Sequence, residues 1–173
     1  TATQTVIAKV TFTDSAGQPT AGLEACRYDA AGDNFYVNVD GSTANPHGEL
    51  VKLPGAAIRA IPNGATQNYT TLAGVAMYSE GNCDPTGLAL GPGSDIAVGC
   101  REGTSGAPLL MQILNRSNGA LVASLNAGGG DQLEYDAPTN RYYNAASRWT
   151  SSGNASTNGA CSAASPCTPV LTI

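Results

Sequence analysis

The sequence predicts an all-β fold, and three observations predict it. Apolar residues fall in short runs separated by clusters of Gly, Pro, Asn and Asp. The 3.6-residue periodicity of an amphipathic helix is almost absent. A strand–turn–strand pattern recurs three times along the 173 residues.

Taken in order, Thr5–Phe12 is the first apolar run and ends at the turn formers Asp14-Ser15-Ala16-Gly17. Leu23–Tyr28 and Asn34–Val39 flank a tight polar turn, and Glu49–Leu53 follows the turn composition Asn45-Pro46-His47-Gly48. Ala56–Ile61 reads as a further short strand, and Asn63–Tyr69 as a long polar loop. Gly87–Leu90 and Ile96–Cys100 flank Gly91-Pro92-Gly93. Leu109–Asn115, the turn Arg116-Ser117-Asn118-Gly119 and Leu121–Leu125 then complete a unit of four antiparallel strands. Gln132–Tyr135 and Tyr142–Ser147 form a third pair, followed by the polar loop Ser151–Pro169 and a last strand at Val170–Ile173.

The three strand pairs align without gaps. Tyr28, Leu90 and Tyr135 correspond, as do Asp33, Asp95 and Asn140, and Tyr36, Val98 and Tyr143. The first interval is 62 positions and the second 45. The second matches the roughly 40–50 residues of one propeller blade, and the first is that length plus an insertion. The expected organisation is therefore one propeller segment over 1–173. It comprises a partial blade at 1–20, a blade at 21–62 with a loop insertion at 63–82, a blade at 83–127 and an incomplete blade at 128–173. About three blades cannot close a ring that needs about four to eight. The remaining blades are thus expected from the same protein or from another chain.

Composition narrows the partners. The net charge is −5, and Lys9 and Lys52 are the only lysines, so the clustered cations that phosphate contacts require are missing. No apolar stretch approaches the roughly 20 residues of a membrane-spanning helix. No signal-peptide pattern opens the sequence, which reads as a mature or trimmed product. Two of the possible cysteine pairs are short-range. Cys83 and Cys100 flank the Gly91-Pro92-Gly93 turn, and Cys161 and Cys167 share a Ser/Ala/Pro loop, leaving Cys26 over. Such pairs persist in oxidising compartments, so an extracytoplasmic location, secreted or periplasmic, is expected. Free thiols at all five positions are the alternative.

The segments Asp84-Pro85-Thr86-Gly87-Leu88-Ala89-Leu90-Gly91-Pro92-Gly93 and Tyr135-Asp136-Ala137-Pro138-Thr139-Asn140-Arg141-Tyr142-Tyr143 resemble the repeats of YVTN/NHL-type and gluconolactonase-like propellers. The resemblance implies a β-propeller of four-stranded blades. It also points to Glu24, Thr86 and Asp131, equivalent positions four residues before Tyr28, Leu90 and Tyr135. Similar positions in the gluconolactonase-like family carry a Glu, an Asn and an Asp that bind a divalent metal. Glu24 and Asp131 match by type and would suit Ca²⁺ or Mg²⁺ in a lactonase-like hydrolase, whereas Thr86 departs from the family pattern. The alternative is a rim of solvated polar groups around a channel.

Two further constellations stand out. Gly103-Thr104-Ser105-Gly106-Ala107-Pro108 resembles the nucleophile loop of chymotrypsin-like serine proteases, with His47 and either Asp84 or Asp95 preceding it in the order His, Asp, Ser. His47 otherwise reads as a turn residue, and the run as a loop between strands. Arg148-Trp149, at the mouth of the Ser151–Pro169 loop, is a candidate binding surface or a local cation–π pair. Since propellers host unrelated activities, the leading expectation is a binding or scaffold module acting through loops at the channel mouth.

Overall fold

The computed structural model describes residues 5–101, 109–151, 161–164 and 166–173. The first part of the chain forms β1 (Lys9–Thr11), β2 (Leu23–Asp29), β3 (Asn34–Val39) and β4 (Glu49–Pro54). A short helix α1 (Gly55–Arg59), β5 (Thr66–Asn68), a 3-10 turn at Tyr69–Thr71 and β6 (Ala76–Ser79) follow. Then come β7 (Pro85–Leu90), β8 (Asp95–Cys100), β9 (Met111–Asn115), β10 (Leu121–Leu125), β11 (Gln132–Asp136), β12 (Arg141–Trp149) and β13 (Thr168–Thr172).

Three sheets are antiparallel and built mainly from sequential strands: β2-β3-β4-β6, β7-β8-β9-β10 and β11-β12-β13. A fourth is the small parallel pair of β1 and β5. Among the described residues no sheet closes on itself. The all-β expectation holds.

Three local expectations do not. Ala56–Ile61 lies on and after α1 rather than in a strand. Its Ala56-Ala57 pair is strongly helix-forming, and Ala57 and Ile58 turn inward against Tyr69 and Leu72. The 63–82 segment is not one loop. It supplies β5, which pairs in parallel with β1, and β6, which pairs with β4 as the fourth strand of the first sheet. That sheet therefore runs to Ser79, past the expected limit at 62. The ungapped alignment also slips after the second turn. Leu90 pairs with Ile96 across six positions, whereas Tyr28 pairs with Phe35 and Tyr135 with Tyr142 across seven. Asp95 thus corresponds to Asn34 and Arg141, and Val98 to Val37 and Asn144. A turn with Gly93 at φ 56° needs one residue fewer.

The outer two hairpins share detailed chemistry. The Tyr28 hydroxyl donates to Asp33 Oδ1 at 2.9 Å, and the Tyr135 hydroxyl to Asn140 Oδ1 at 2.7 Å. Asp33 and Asn140 are both left-handed, with φ of 50° and 56°, a conformation Asp and Asn tolerate better than most residues. Tyr28 packs on Phe35 at 4.6 Å between ring centroids, and Tyr135 on Tyr142 at 5.0 Å.

The β7–β10 sheet lies between the other two, and its strands carry apolar residues on both faces. Leu88, Ile96, Val98 and Leu114 pack with Tyr36 and Leu50 of the first sheet. Ala89, Ala97, Met111 and Ile113 pack with Leu133 of the third. Burial on both faces explains the unbroken apolar reading of Gly87–Leu90 and Ile96–Cys100. The other face of the first sheet is covered by the β1 segment, α1 and the 63–82 segment, through Val10, Phe12, Ile58, Tyr69 and Leu72.

Strand β7 lies beside both β2 and β11, so the first strands of the three sheets are neighbours. Their contacts are partly backbone to backbone. The Gly87 N–H donates to Gly130 O at 3.0 Å, and a Cβ on either Gly87 or Gly99 would overlap that carbonyl. The Asn38 amide donates to the Thr86 and Gly87 carbonyls at 3.2 and 3.1 Å. The disulfides Cys83–Cys100 and Cys161–Cys167 are both formed, and Cys26 is free and exposed. Among the described residues no helix is long and apolar enough to cross a membrane.

Candidate functional site

Side-by-side packing of β2, β7 and β11 brings Glu24, Thr86 and Asp131 to one end of the three sheets. Register irregularities fall between Leu23 and Cys26 and between Pro85 and Leu88, at matching places in the two strands. A bulge of this kind re-aims the side chains beside it, here Glu24 and Thr86.

The three side chains have different fates. Thr86 is buried, and its hydroxyl lies 3.1 Å from the carbonyls of both Gly99 and Gly130, to which it donates. It ties backbone segments together. Glu24 Oε1 lies 3.5 Å from Arg101, whose guanidinium also reaches Asp40 Oδ2 at 3.1 Å. Partial burial raises the Glu24 carboxyl above its ordinary range, and the charges of Asp40 and Asp131 add to this against the pull of Arg101. Asp131 is exposed. The donor set does not fit a divalent ion: Thr86 is committed to backbone carbonyls, and a guanidinium sits against Glu24. Among the described residues no group of three or more His, Cys, Asp or Glu side chains is arranged to hold a metal.

A second layer of acids lies behind this end. Glu49 is buried and accepts from Ser42 at 2.8 Å, Asn45 at 2.7 Å and Tyr69 at 3.3 Å. Burial, aided by Glu49, pushes the Tyr69 phenol up to about 12. Glu80, 2 % exposed, has no hydrogen-bond partner on either carboxyl oxygen. Burial holds its carboxyl well above the carboxylate range, and the charges of Glu49 and Asp40 push it further. Neither Arg101 nor Glu80 had a signal in the sequence. Arg101 lies just past a recognisable strand and Glu80 just past β6, inside the segment that reads as a loop insertion, and only the folded chain brings them to the carboxylates.

The other candidates separate. His47 Nδ1 stands 3.7 Å from Asp84 Oδ1, and the His47 carbonyl accepts from the N–H groups of Cys83 and Asp84. The turn thus joins the His47 and Asp84 named in the sequence, and Asp95 lies elsewhere, on the β7–β8 turn. Ser105 and the whole Gly103–Pro108 run fall outside the described residues. Arg148 and Trp149 are half-buried at the end of β12, where Trp149 pairs with Thr168 of β13.

Compared with known proteins, the chain matches no family model, and neither curated proteins nor solved structures give a significant match. Function must therefore be argued from the arrangement itself.

Proposed function

We propose that this chain is part of an extracytoplasmic propeller-type module that binds a cationic group at the common end of β2, β7 and β11. One observation carries the reading. The fold sets Glu24 and Asp40 against one guanidinium, that of Arg101, and brings the charge of Asp131 to bear on Glu24. Three carboxylates against one cation leave a negative surplus in a chain already at −5. Clustered like charge at partly buried positions focuses the field and favours a ligand of the opposite sign. The two disulfides support an oxidising compartment. Three sheets side by side support an incomplete ring, completed by further sheets of the same protein or by another chain.

Titration calorimetry with spermidine tests the binding role. Saturable binding that weakens with salt, and about tenfold or more in Asp40→Asn or Asp131→Asn, is expected. Equal binding by parent and variants, or preference for an anion, removes it.

The approach of His47 to Asp84 favours a second reading, a hydrolase in which Asp84 orients His47 as a base for Ser105. The open meander sheets speak against the barrels of the chymotrypsin fold. Fluorophosphonate labelling of Ser105, lost in His47→Ala, is the expected result under this reading, and an unlabelled protein removes it.

A further inference from the structure

Two glutamates are buried in the first sheet, and only one is provided for. Glu49 accepts hydrogen bonds from Ser42, Asn45 and Tyr69. Glu80, 2 % exposed, has no partner on Oε1 or Oε2 among the described residues. Oδ1 of the fully buried Asn38 and Oδ1 of Asp40 are left in the same condition. The orientation of the Asn38 amide is fixed, because its Nδ2 donates to the Thr86 and Gly87 carbonyls. Arg101 engages Oδ2 of Asp40 and leaves Oδ1 without a partner.

The strand register places these oxygens together. Asn38 pairs with Leu50, and Leu50 with Tyr78. Val39, Glu49 and Ser79 form the next row. One further step sets Asp40, Gly48 and Glu80 in line, where the Glu80 N–H donates to Gly48 O at 3.1 Å. Residues two apart on a strand share a face, so Asn38, Asp40 and Glu80 lie on one face of the sheet, the face against β7. Gly48 puts no side chain between Asp40 and Glu80. A Cβ there would stand 3.0 Å from Glu80 Oε2 and 2.6 Å from Pro85 Cδ.

We propose that Glu80, Asp40 and Asn38 hold a calcium ion inside the first sheet, where it ties the end of β3 to the end of β6. The orphaned atoms are all acceptors. One water has two protons and no charge, so it can neither satisfy all of these oxygens nor balance a buried carboxylate. A cation does both. Carboxylate and carboxamide oxygens suit a hard ion. Calcium takes irregular sets of roughly six to eight oxygens, whereas magnesium needs near-octahedral geometry and sheds its water reluctantly. Two carboxylates and a carboxamide supply the side-chain donors, and backbone carbonyls and water complete the shell. Each of the three has an oxygen free of any other partner, which is what Thr86 lacks at the Glu24–Asp131 end. The proposal does not rest on what that end binds.

The test uses the intact chain, stripped with a chelator and melted with added calcium, magnesium or sodium. Calcium at a hundredfold excess over its Kd should raise Tm by about 5 °C or more, with little effect from the other two at equal ionic strength. Terbium, a calcium-sized probe, should give luminescence excited through tyrosine, since Tyr78 lies on the same face, and calcium should quench it by displacement. Glu80→Gln should weaken calcium about tenfold or more, whereas Glu134→Gln, an exposed acid of the third sheet, should bind as the parent does. Three results would overturn the proposal: no calcium shift in the parent, the same shift from magnesium or sodium, or an undiminished shift in Glu80→Gln. The terbium signal of the parent decides the matter even if that variant fails to fold. Spermidine binding by the stripped parent reads the other proposal separately, because calcium is absent there.

Discussion

A buried carboxyl group with no partner is the sharpest anomaly at the residue scale, and Glu80 is that group. Its folded-state pKa is raised, so between the unfolded value and the folded one the native chain binds more protons than the unfolded chain. Stability therefore falls as pH rises through that window, upward from the usual carboxylate range. Glu80→Gln removes the titration while keeping the shape. The variant should lose the downward slope in urea denaturation as pH rises above the usual carboxylate range, and be the more stable protein at the upper end. A parent whose stability is flat over that range would refute this account. Asp33 behaves in the opposite sense. Hydrogen bonds from Arg59 and Tyr28 hold its carboxyl down at about 2, so its contribution is complete above the unfolded value and disappears only as pH falls toward 2. Asp33 is also left-handed, at φ 50°. Asp33→Ala should cost about 1–2 kcal/mol from conformation alone, with Asp33→Gly costing less despite losing the same hydrogen bonds. Equal losses in the two variants would place the effect in the side-chain contacts.

Elements differ in how plainly the sequence announces them, and burial explains the difference. β3, β8 and β10 are short apolar runs between strong turn signals, and their observed limits lie within a residue of the expected ones. β6 was hidden because Ala76-Met77-Tyr78-Ser79 is brief and lies in a Gly-rich stretch, and its role depends on β4 as a distant partner. β5 is three residues of Thr-Gln-Asn whose strand character comes entirely from pairing with β1. α1 shows a further limit, since five residues carry no helical period to detect. The site divides in the same way. Local spacing was enough to place Glu24, Thr86 and Asp131 at equivalent positions, but the engagement of Thr86 with Gly130 and of Arg101 with Glu24 depends on sheets distant in sequence. The cysteine pairs were legible because each is closed by a single local segment. Cys83 and Cys100 are both fully buried, 17 residues apart, and clip the start of β7 to the end of β8. Replacing both by Ala should cost about 3 kcal/mol, the loop-closure contribution for a loop of this length. Denaturation of the variant beside the parent measures it. The same change at Cys161 and Cys167, with a separation of 6, should cost less.

At the scale of the whole molecule, the stability of the chain depends on two seams that share the β7–β10 sheet. The seam toward the first sheet is made of large side chains around Tyr36 and Leu88, and a truncation there can be partly absorbed by repacking. The seam toward the third sheet is closer and includes backbone contacts. Gly87 and Gly99 both face the Gly130 carbonyl, which accepts from the Gly87 N–H and the Thr86 hydroxyl. A methyl group at Gly99 has no flexible side chain to displace, so the strands must separate. Separation would break the hydrogen bonds to Gly130 and open the cluster of Ala89, Ala97, Met111 and Leu133. Gly99→Ala should therefore cost more than the 1–3 kcal/mol typical of overpacking, and more than Leu88→Val on the opposite seam. The loss should also be localised. Amide exchange should accelerate across β11 and β12 while β3 and β4, on the far side of β7, keep their protection. Equal acceleration in all three sheets would instead mean that they unfold as one unit, with β7 as their common axis. Since the Glu24–Asp131 end spans both seams, the same variant should lose spermidine binding before it loses the fold of the first sheet.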